Sequence, residues 1–308
     1  MKRRMSEAQY TAFPPAKINL HLRVLGKRPD GYHEIETIFQ TVSLVDELAV
    51  SLRPGGSLSL EVAGDSTVPS GANNLCLQAA SRFTRAAGVS FGGKILLRKR
   101  IPAGAGLGGG SSDAAALLRI LNCHFGEPLR DGQLARVARG LGADVPFFLR
   151  GGTAIGRGIG DELEFFSPEW RYWAVLVLPN FKISTRWAYS QLKFGLTSER
   201  KSFIFNGQKI RDIRPEQFSL HFVNEFEAVV FGRYPELAEL KKFLRDQGAF
   251  FTSMSGTGSA LYGLFLNEDA AREARRSLQN RVRTELVRPI DQVEYNKLMQ
   301  GNGIAGEP

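Results

Sequence analysis

Ile101-Pro-Ala-Gly-Ala-Gly-Leu-Gly-Gly-Gly-Ser-Ser-Asp113 runs directly into Ala114-Ala-Ala-Leu-Leu118. Gly104, Gly106, Gly108, Gly109 and Gly110 fall within seven residues, a density that slack in a connection does not require. Upstream, Lys94-Ile-Leu-Leu-Arg-Lys-Arg100 reads as a strand, and the alanine-rich run downstream reads as a helix over Ser112–Leu121. A strand, a glycine loop and a helix start let backbone N–H groups approach a ligand that side chains would hold off. The helix start adds unsatisfied donors and a partial positive charge. The order points to a phosphate cradle over Pro102, Ala103, Gly104, Ala105, Gly106, Leu107, Gly108, Gly109, Gly110, Ser111 and Ser112.

Two familiar phosphate loops do not fit. A Walker A loop needs a lysine before the helix, and none lies between Arg100 and the helix end. A dinucleotide fold wants a second strand ending in an acid about 20 residues on. That place holds Asn122-Cys-His-Phe-Gly-Glu-Pro128, a turn.

The 308 residues suffice for two domains with cores of their own. No apolar run reaches the ~18 residues of a membrane span, and the basic start Met1-Lys-Arg-Arg-Met5 leads into no apolar signal segment. Cys76 and Cys123 fall in expected helices and read as buried thiols of a reducing compartment, hence the cytoplasm. The net charge of +9 suits nucleic acid, anionic lipid or a polyphosphate. The charges are spread and no nucleic-acid motif accompanies them, so a phosphorylated small molecule fits better.

Ala16–Leu25 alternates strictly, with Ile18, Leu20, Leu22 and Val24 on one face and Lys17, Asn19, His21 and Arg23 on the other. This is a strand whose polar face meets water or lines a site. Arg28-Pro-Asp-Gly-Tyr-His33 is a turn. Strands are expected at 35–44, 48–52 and 57–62. Asn73 or Asn74 caps a helix that Gly88 ends, and Asp131 caps another that ends near Gly140. In Leu141-Gly-Ala-Asp-Val-Pro-Phe147, Asp144 stands after a glycine turn, where capping and chemistry are both open. Thr153–Phe166 reads as a hairpin and Trp173–Leu178 as a buried strand opening the second domain. A helix follows from Ser184. Residues 197–215 read as a long surface connection, with helices over 215–231 and 235–247. Phe250–Phe265 is strand, Gly-Thr-Gly turn, strand; a helix over 269–278 and a strand near 284–289 close the fold. The tail from Gln300 to Pro308 is expected to be disordered. The irregular mixture of strands and helices makes the class α+β.

Pro15-Ala-Lys-Ile-Asn19 with Asp30-Gly-Tyr-His33, the Pro102–Asp113 loop, Leu141-Gly-Ala-Asp-Val-Pro146 and Ser255-Gly-Thr-Gly258 occur in this order. Together they resemble the GHMP kinase superfamily, and within it the kinases acting on 4-diphosphocytidyl-2-C-methyl-D-erythritol. The likeness runs from about Phe13 to Pro289. It implies a two-lobed fold: an N-terminal ATP-binding lobe of ribosomal-protein-S5-like topology, residues 1–165, and a C-terminal α/β sandwich lobe, residues 166–308. It implies ATP-dependent phosphorylation of the 2-hydroxyl of the erythritol unit, on the methylerythritol phosphate route to isoprenoids.

On this likeness the catalytic lysine and aspartate are Lys17 and Asp144. Asp144 accepts or orients the hydroxyl proton and Lys17 stabilises charge on the transferred group. Asn19 is a substrate contact. Tyr32 and His33 match positions that bind the cytosine ring; Tyr189 is a stacking partner from the second lobe and Thr185 a further contact. Gly256, Thr257 and Gly258 bring a second backbone cradle to the substrate phosphates or to ATP. Mg²⁺ accompanies ATP, assisted by Ser111 or Ser112 unless these only cap the helix. No protein-only metal site is expected, since strand alternation sets Glu34 and Glu36 opposite His33. The partner is a small molecule with a cytidine diphosphate moiety, with neither nucleic acid nor membrane, and the assembly is a monomer or homodimer. A homoserine- or mevalonate-type kinase is disfavoured by Asp30-Gly-Tyr-His33, and a non-catalytic binding protein by retention of both Lys17 and Asp144.

Overall fold

The computed structural model describes residues 8–192, 207–300 and 304–305. Strands β1 (Ala8–Ala12), β2 (Pro15–Lys27), β3 (His33–Val45), β4 (Glu47–Pro54) and β5 (Leu58–Ala63) come first. Helix α1 (Leu75–Ala87) and strand β6 (Phe91–Arg98) lead to the glycine loop, then helices α2 (Gly109–His124) and α3 (Asp131–Arg139). Strands β7 (Thr153–Arg157), β8 (Glu162–Phe166) and β9 (Trp173–Leu178) precede α4 (Thr185–Gln191), α5 (Gly207–Arg211), α6 (Phe218–His221), α7 (Phe226–Arg233) and α8 (Pro235–Asp246). Strands β10 (Phe251–Met254) and β11 (Leu261–Phe265), helix α9 (Glu268–Leu278), strand β12 (Arg283–Val287), helix α10 (Gln292–Met299) and the short β13 (Ile304–Ala305) complete the order.

Three sheets result, ordered β13-β1-β4-β6-β5, β2-β3-β7-β8 and β10-β11-β9-β12. Among the described residues, pairing between these strands is antiparallel except between β5 and β6. A parallel pair needs a crossover, and α1 supplies it. Asn74 Oδ1 accepts the Cys76 N–H at 2.9 Å and Gly88 takes the left-handed conformation, so both ends of α1 are where the caps place them. Helices α1 and α2 bury Phe83, Leu117 and Leu121 against Val50 and Ile95 of the first sheet. The middle sheet packs Ile18 and Leu20 against Leu176, Tyr262 and Leu264 of the third. The other face of the third sheet holds Val175 and Val177 against Leu237, Leu244 and Leu278. Strand β2 thus lies between the two bodies, which is why residues on it reach both. We propose a division of lobes near residue 166, where β8 ends the middle sheet. Helix α10 and β13 cross back: Tyr295 lies in the first core and β13 pairs with β1.

Several local expectations are corrected. The polar face of β2, left open between water and a site, is not among them: Lys17, Asn19 and His21 are as buried as the apolar face and Arg23 is half-buried. Helix α2 starts at Gly109, not Ser112, because Gly108 in the left-handed conformation ends the loop earlier. Arg130, not Asp131, is the N-cap of α3; Asp131 occupies the first turn, where its charge suits the dipole. Cys123 is exposed and Cys76 buried, both free. The helix expected over 215–231 is broken. A 3₁₀ turn over Pro215–Gln217 and α6 stop before Val223, and α7 restarts at Phe226. The break has a cause in β2: the Leu22 N–H donates to Val223 O at 2.8 Å and the Glu225 N–H to Leu22 O at 3.0 Å, so these residues act as strand. Of the expected connection over 197–215, residues 197–206 lie outside the described ones. The rest holds α5, with Ile210 and Ile213 in the middle core. In the tail, Ile304 and Ala305 pair with β1 instead of lying free.

Candidate active site

Lys17 and Asn19 share a face of β2, two residues apart. Lys17 Nζ donates to Asn19 Oδ1 at 2.5 Å. Asn19 Nδ2 donates to Thr37 Oγ1 at 2.8 Å, and that hydroxyl donates to His21 O at 2.7 Å. The amide is held so that its oxygen faces the ammonium. The Lys17 N–H donates to Leu107 O at 2.9 Å, tying the strand to the glycine loop. The bare Cα of Gly108 permits this approach: a Cβ there would stand 3.1 Å from Lys17 Cγ and 2.7 Å from Phe148 Cε2.

Asp144 comes from the turn before the 3₁₀ helix Phe147–Leu149. Its Oδ2 lies 3.6 Å from Lys17 Nζ, with the lysine side chain 4% exposed and the aspartate 32%. The pair has one dry end and one open end. Burial pushes the pKa of Lys17 down, and the Asp144 charge opposes that shift. The Phe39 ring centroid, 5.4 Å from Nζ, gives the cation a further face.

The loop is braced by the turn between β10 and β11. Ser255 Oγ donates to Gly106 O at 2.9 Å and accepts the Asn19 N–H at 3.3 Å. The Ala260 N–H donates to Ala105 O at 3.1 Å. Gly106 has φ +82°, and a Cβ on it would lie 2.1 Å from Ser255 O, so this contact requires glycine. Asn224 Nδ2 holds the turn through Met254 O at 2.7 Å and Gly256 O at 2.8 Å. Gly108, the N-cap of α2, has no side chain to cap the helix, so the first-turn N–H groups carry no side-chain cap.

On the far side of Asp144, the His33 ring stacks on Tyr189 with centroids 4.7 Å apart and planes at 30°. Tyr189 meets the edge of Phe226 at 4.8 Å. Burial, with a smaller contribution from the Asp144 charge, pushes the Tyr189 phenol up to about 12. Burial, and Lys27 nearby, lower the pKa of His33. Thr185 Oγ1 and Thr257 Oγ1 are 3.2 Å apart. Tyr32 is 61% exposed and makes no ring contact among the described residues. The fold thus brings together Lys17, Asn19, Asp144, the glycine loop, the 255–258 turn and the His33–Tyr189 pair, and leaves Tyr32 at the margin.

Sequence reading gave Ser255 no role beyond its place in Ser255-Gly-Thr-Gly258, and missed Asn224 and Lys182. The Lys182 stem crosses 3.1 Å from where a Gly104 Cβ would stand, and its Nζ donates to Thr67 Oγ1 at 2.8 Å. Ser255 was legible only as the residue before a glycine turn; nothing local marks the other two.

Two family profiles match the chain, described as GHMP kinases N terminal domain over residues 74–152 and GHMP kinases C terminal over residues 208–284. A small-molecule kinase of the GHMP class is what fold and profiles define. A 4-diphosphocytidyl-2-C-methyl-D-erythritol kinase of Prosthecochloris aestuarii is 43% identical over 266 residues, covering 85% of this chain and 91% of the relative. One from Syntrophus aciditrophicus is 42% identical over 84% and 91%. The crystal structure of a 4-(cytidine 5'-diphospho)-2C-methyl-D-erythritol kinase matches with TM-score 0.73 and 36% identity, over 91% of this chain and 98% of that one. A homoserine kinase from Cytophaga hutchinsonii, at TM-score 0.70 and 19% identity over 92% and 95%, shares the fold. The chain belongs to the 4-diphosphocytidyl-2-C-methyl-D-erythritol kinase family. Among the described residues no helix is long and apolar enough to cross a membrane.

Proposed function

We propose that this chain phosphorylates 4-diphosphocytidyl-2-C-methyl-D-erythritol with ATP, on the 2-hydroxyl, in the methylerythritol phosphate route to isoprenoids. The observation that carries the reading is the Lys17–Asp144 pair, 3.6 Å apart, beside a glycine loop whose helix start is uncapped. Phosphoryl transfer asks for a positioned acceptor and compensation of charge on the moving group, and little covalent chemistry. In this reading the ATP phosphates lie on the loop N–H groups from Gly104 to Ser111, the Ser112 N–H being taken by Gly108 O at 2.9 Å. Asp144, the open end of the pair, takes or orients the acceptor proton. Lys17, held by Asn19, faces the transferred phosphoryl group. The acceptor carbon is tertiary, so orientation carries much of the rate.

The cytosine ring lies against the His33–Tyr189 stack, with Tyr32 covering it from the surface. Thr185, Thr257 and the N–H groups of Gly256 and Thr257 hold the substrate phosphates or reach ATP, while the Gly258 N–H, expected in the same cradle, is engaged by Ser255 O at 3.0 Å. Magnesium fits the oxygen donors present. Ser112 Oγ is buried with no hydrogen-bond partner, and Asp144 offers a carboxylate. When bound with ATP the ion would neutralise the phosphate oxygens. Free Cys76 and Cys123 suit a reducing cytoplasm. We read the protein as a monomer or homodimer without a nucleic-acid partner.

The test is ADP release from Mg-ATP with the cytidyl substrate, beside homoserine, mevalonate and no-acceptor controls. ADP with the cytidyl substrate alone supports the reading. ADP with a control acceptor alone overturns it.

A further inference from the structure

Three ionisable side chains that this mechanism does not use lie buried beneath the glycine loop. Lys99 Nζ donates to Asp113 Oδ2 at 2.7 Å and also to Asp46 Oδ2. All three side chains are within 3% of full burial. Asp46 is the hub. Its Oδ1 accepts the Arg100 N–H at 2.5 Å and the Ile101 N–H at 2.9 Å, the two residues that begin the loop. Asp113 belongs to the early turns of α2, where the loop ends. One lysine thus joins the carboxylate that holds the start of the loop to the carboxylate that follows its end. The Lys99 ammonium lies directly under the helix start: a Cβ on Gly109 would stand 3.1 Å from Nζ and 2.9 Å from Ile101 Cγ2. The Lys99 N–H donates to Ala63 O at 2.8 Å, fixing the strand end from which the lysine springs.

Two buried acids against one buried cation are costly as a stability device. Asp113 Oδ1 has no hydrogen-bond partner, which adds to the cost. A loop of glycines has wide backbone freedom, which it must lose to present its N–H groups together. We infer that Asp46, acting through Lys99 and Asp113, is a positioning residue that fixes both ends of the glycine loop in its nucleotide-binding form. The cluster touches no substrate. It acts on ATP through the loop, and leaves the cytosine side of the site alone. The inference rests on the kinase reading for its kinetic test and stands apart from it in its binding test.

The binding probe is MgADP, titrated calorimetrically into the full chain. Asp46→Asn and Asp113→Leu each leave the lysine with one carboxylate, so neither strands an unpaired buried charge. Asp46→Asn is expected to weaken MgADP about tenfold and Asp113→Leu about fivefold, whereas Asp113→Asn, whose amide oxygen still accepts from Lys99, stays within about twofold. In turnover, KM for ATP rises in the same order while KM for the cytidyl substrate holds. A merely structural cluster would lower the melting temperature and move both KM values together, or neither. Should Asp46→Asn fail to fold, the contrast between Asp113→Leu and Asp113→Asn decides. MgADP affinity within twofold of wild type for Asp46→Asn and Asp113→Leu overturns the inference. Failure of the wild type to turn over the cytidyl substrate would sink the kinase reading and leave the MgADP result standing.

Discussion

Lys17 Nζ stands 3.6 Å from Asp144 Oδ2, with a buried lysine facing a carboxylate that is one-third exposed. The exposure leaves the outer side of the carboxylate accessible, where the proposed mechanism sets the acceptor hydroxyl, while the ammonium stays anchored on Asn19. Asp144→Asn keeps the shape and removes the carboxylate proposed to take or orient the acceptor proton. It is expected to lower kcat about 10²- to 10⁴-fold with both KM values within a few-fold. Lys17→Met should lower kcat comparably. Steady-state kinetics with saturating ATP checks both; near-native kcat in Asp144→Asn would remove it from the chemistry.

The glycines of the loop are not equivalent. Gly106 has φ +82° and its Cβ would meet Ser255 O at 2.1 Å, while the nearest atom to a Gly110 Cβ is Leu75 Cδ1 at 3.5 Å. Gly106→Ala is therefore expected to cost more than about 1 kcal/mol and to lower the melting temperature by several degrees. Gly110→Ala should leave the melting temperature nearly unchanged. Thermal melts of the two variants side by side give the comparison, and equal shifts would contradict it.

The aromatic pair is assigned to the cytosine ring. Tyr189→Ala should raise KM for the cytidyl substrate roughly 5- to 160-fold, the equivalent of about 1–3 kcal/mol of stacking, with KM for ATP unaltered. Tyr189→Phe keeps the ring and should stay near wild type. Tyr32→Ala should act in the same direction and more weakly, given its exposure. Parallel changes in both KM values would place these rings elsewhere.

His21, buried against the second body with Nδ1 accepting the Val223 N–H at 3.3 Å, is pushed down to about 3 by burial, with Arg23 adding to the shift. Between that value and an unfolded value near 6.5, the unfolded chain holds the extra proton. Stability from a neutral His21 is thus present above about pH 6.5 and lost as pH falls toward 3. Asp113, raised to about 7 mainly by burial and also by repulsion from Asp46, works in the opposite sense over part of this range. The clean observable is a difference. His21→Asn should remove up to about 1.4 kcal/mol per pH unit of slope between pH 4 and 6 relative to wild type. Denaturant unfolding at several pH values measures it, and identical slopes would show that His21 is protonated in the folded state.

Features carried by local chemistry were legible in the sequence. The glycine loop, the β2 alternation and the Asn74 and Gly88 caps of α1 needed no partner to be read. What escaped depends on contacts across the molecule. Of the two outcomes open for the polar face of β2, the second body decides for the site by covering it through Ser255 and Tyr262, whose hydroxyl donates to Asn19 O at 2.8 Å. The break between α6 and α7 follows from pairing of Val223 and Glu225 with Leu22, about 200 residues away in sequence and invisible to helical periodicity. Helix α10 was legible and overlooked. Asp291 accepts the Glu294 N–H at 2.8 Å, and Asp-x-x-Glu is a helix-start signature. In the site, the family resemblance marked Lys17 and Asp144, whereas the contacts of Asn224 and Asp46 arise only where distant backbones meet.

The central claim is transfer of a phosphoryl group to one hydroxyl of the erythritol unit. The most direct measurement is ³¹P and ¹³C NMR of the product formed from Mg-ATP and the cytidyl substrate. The account predicts a new phosphomonoester signal coupled to the tertiary carbinol carbon, with the diphosphate signals intact. A new phosphate coupled to any other carbon, or an unchanged substrate spectrum while ADP accumulates, would contradict it.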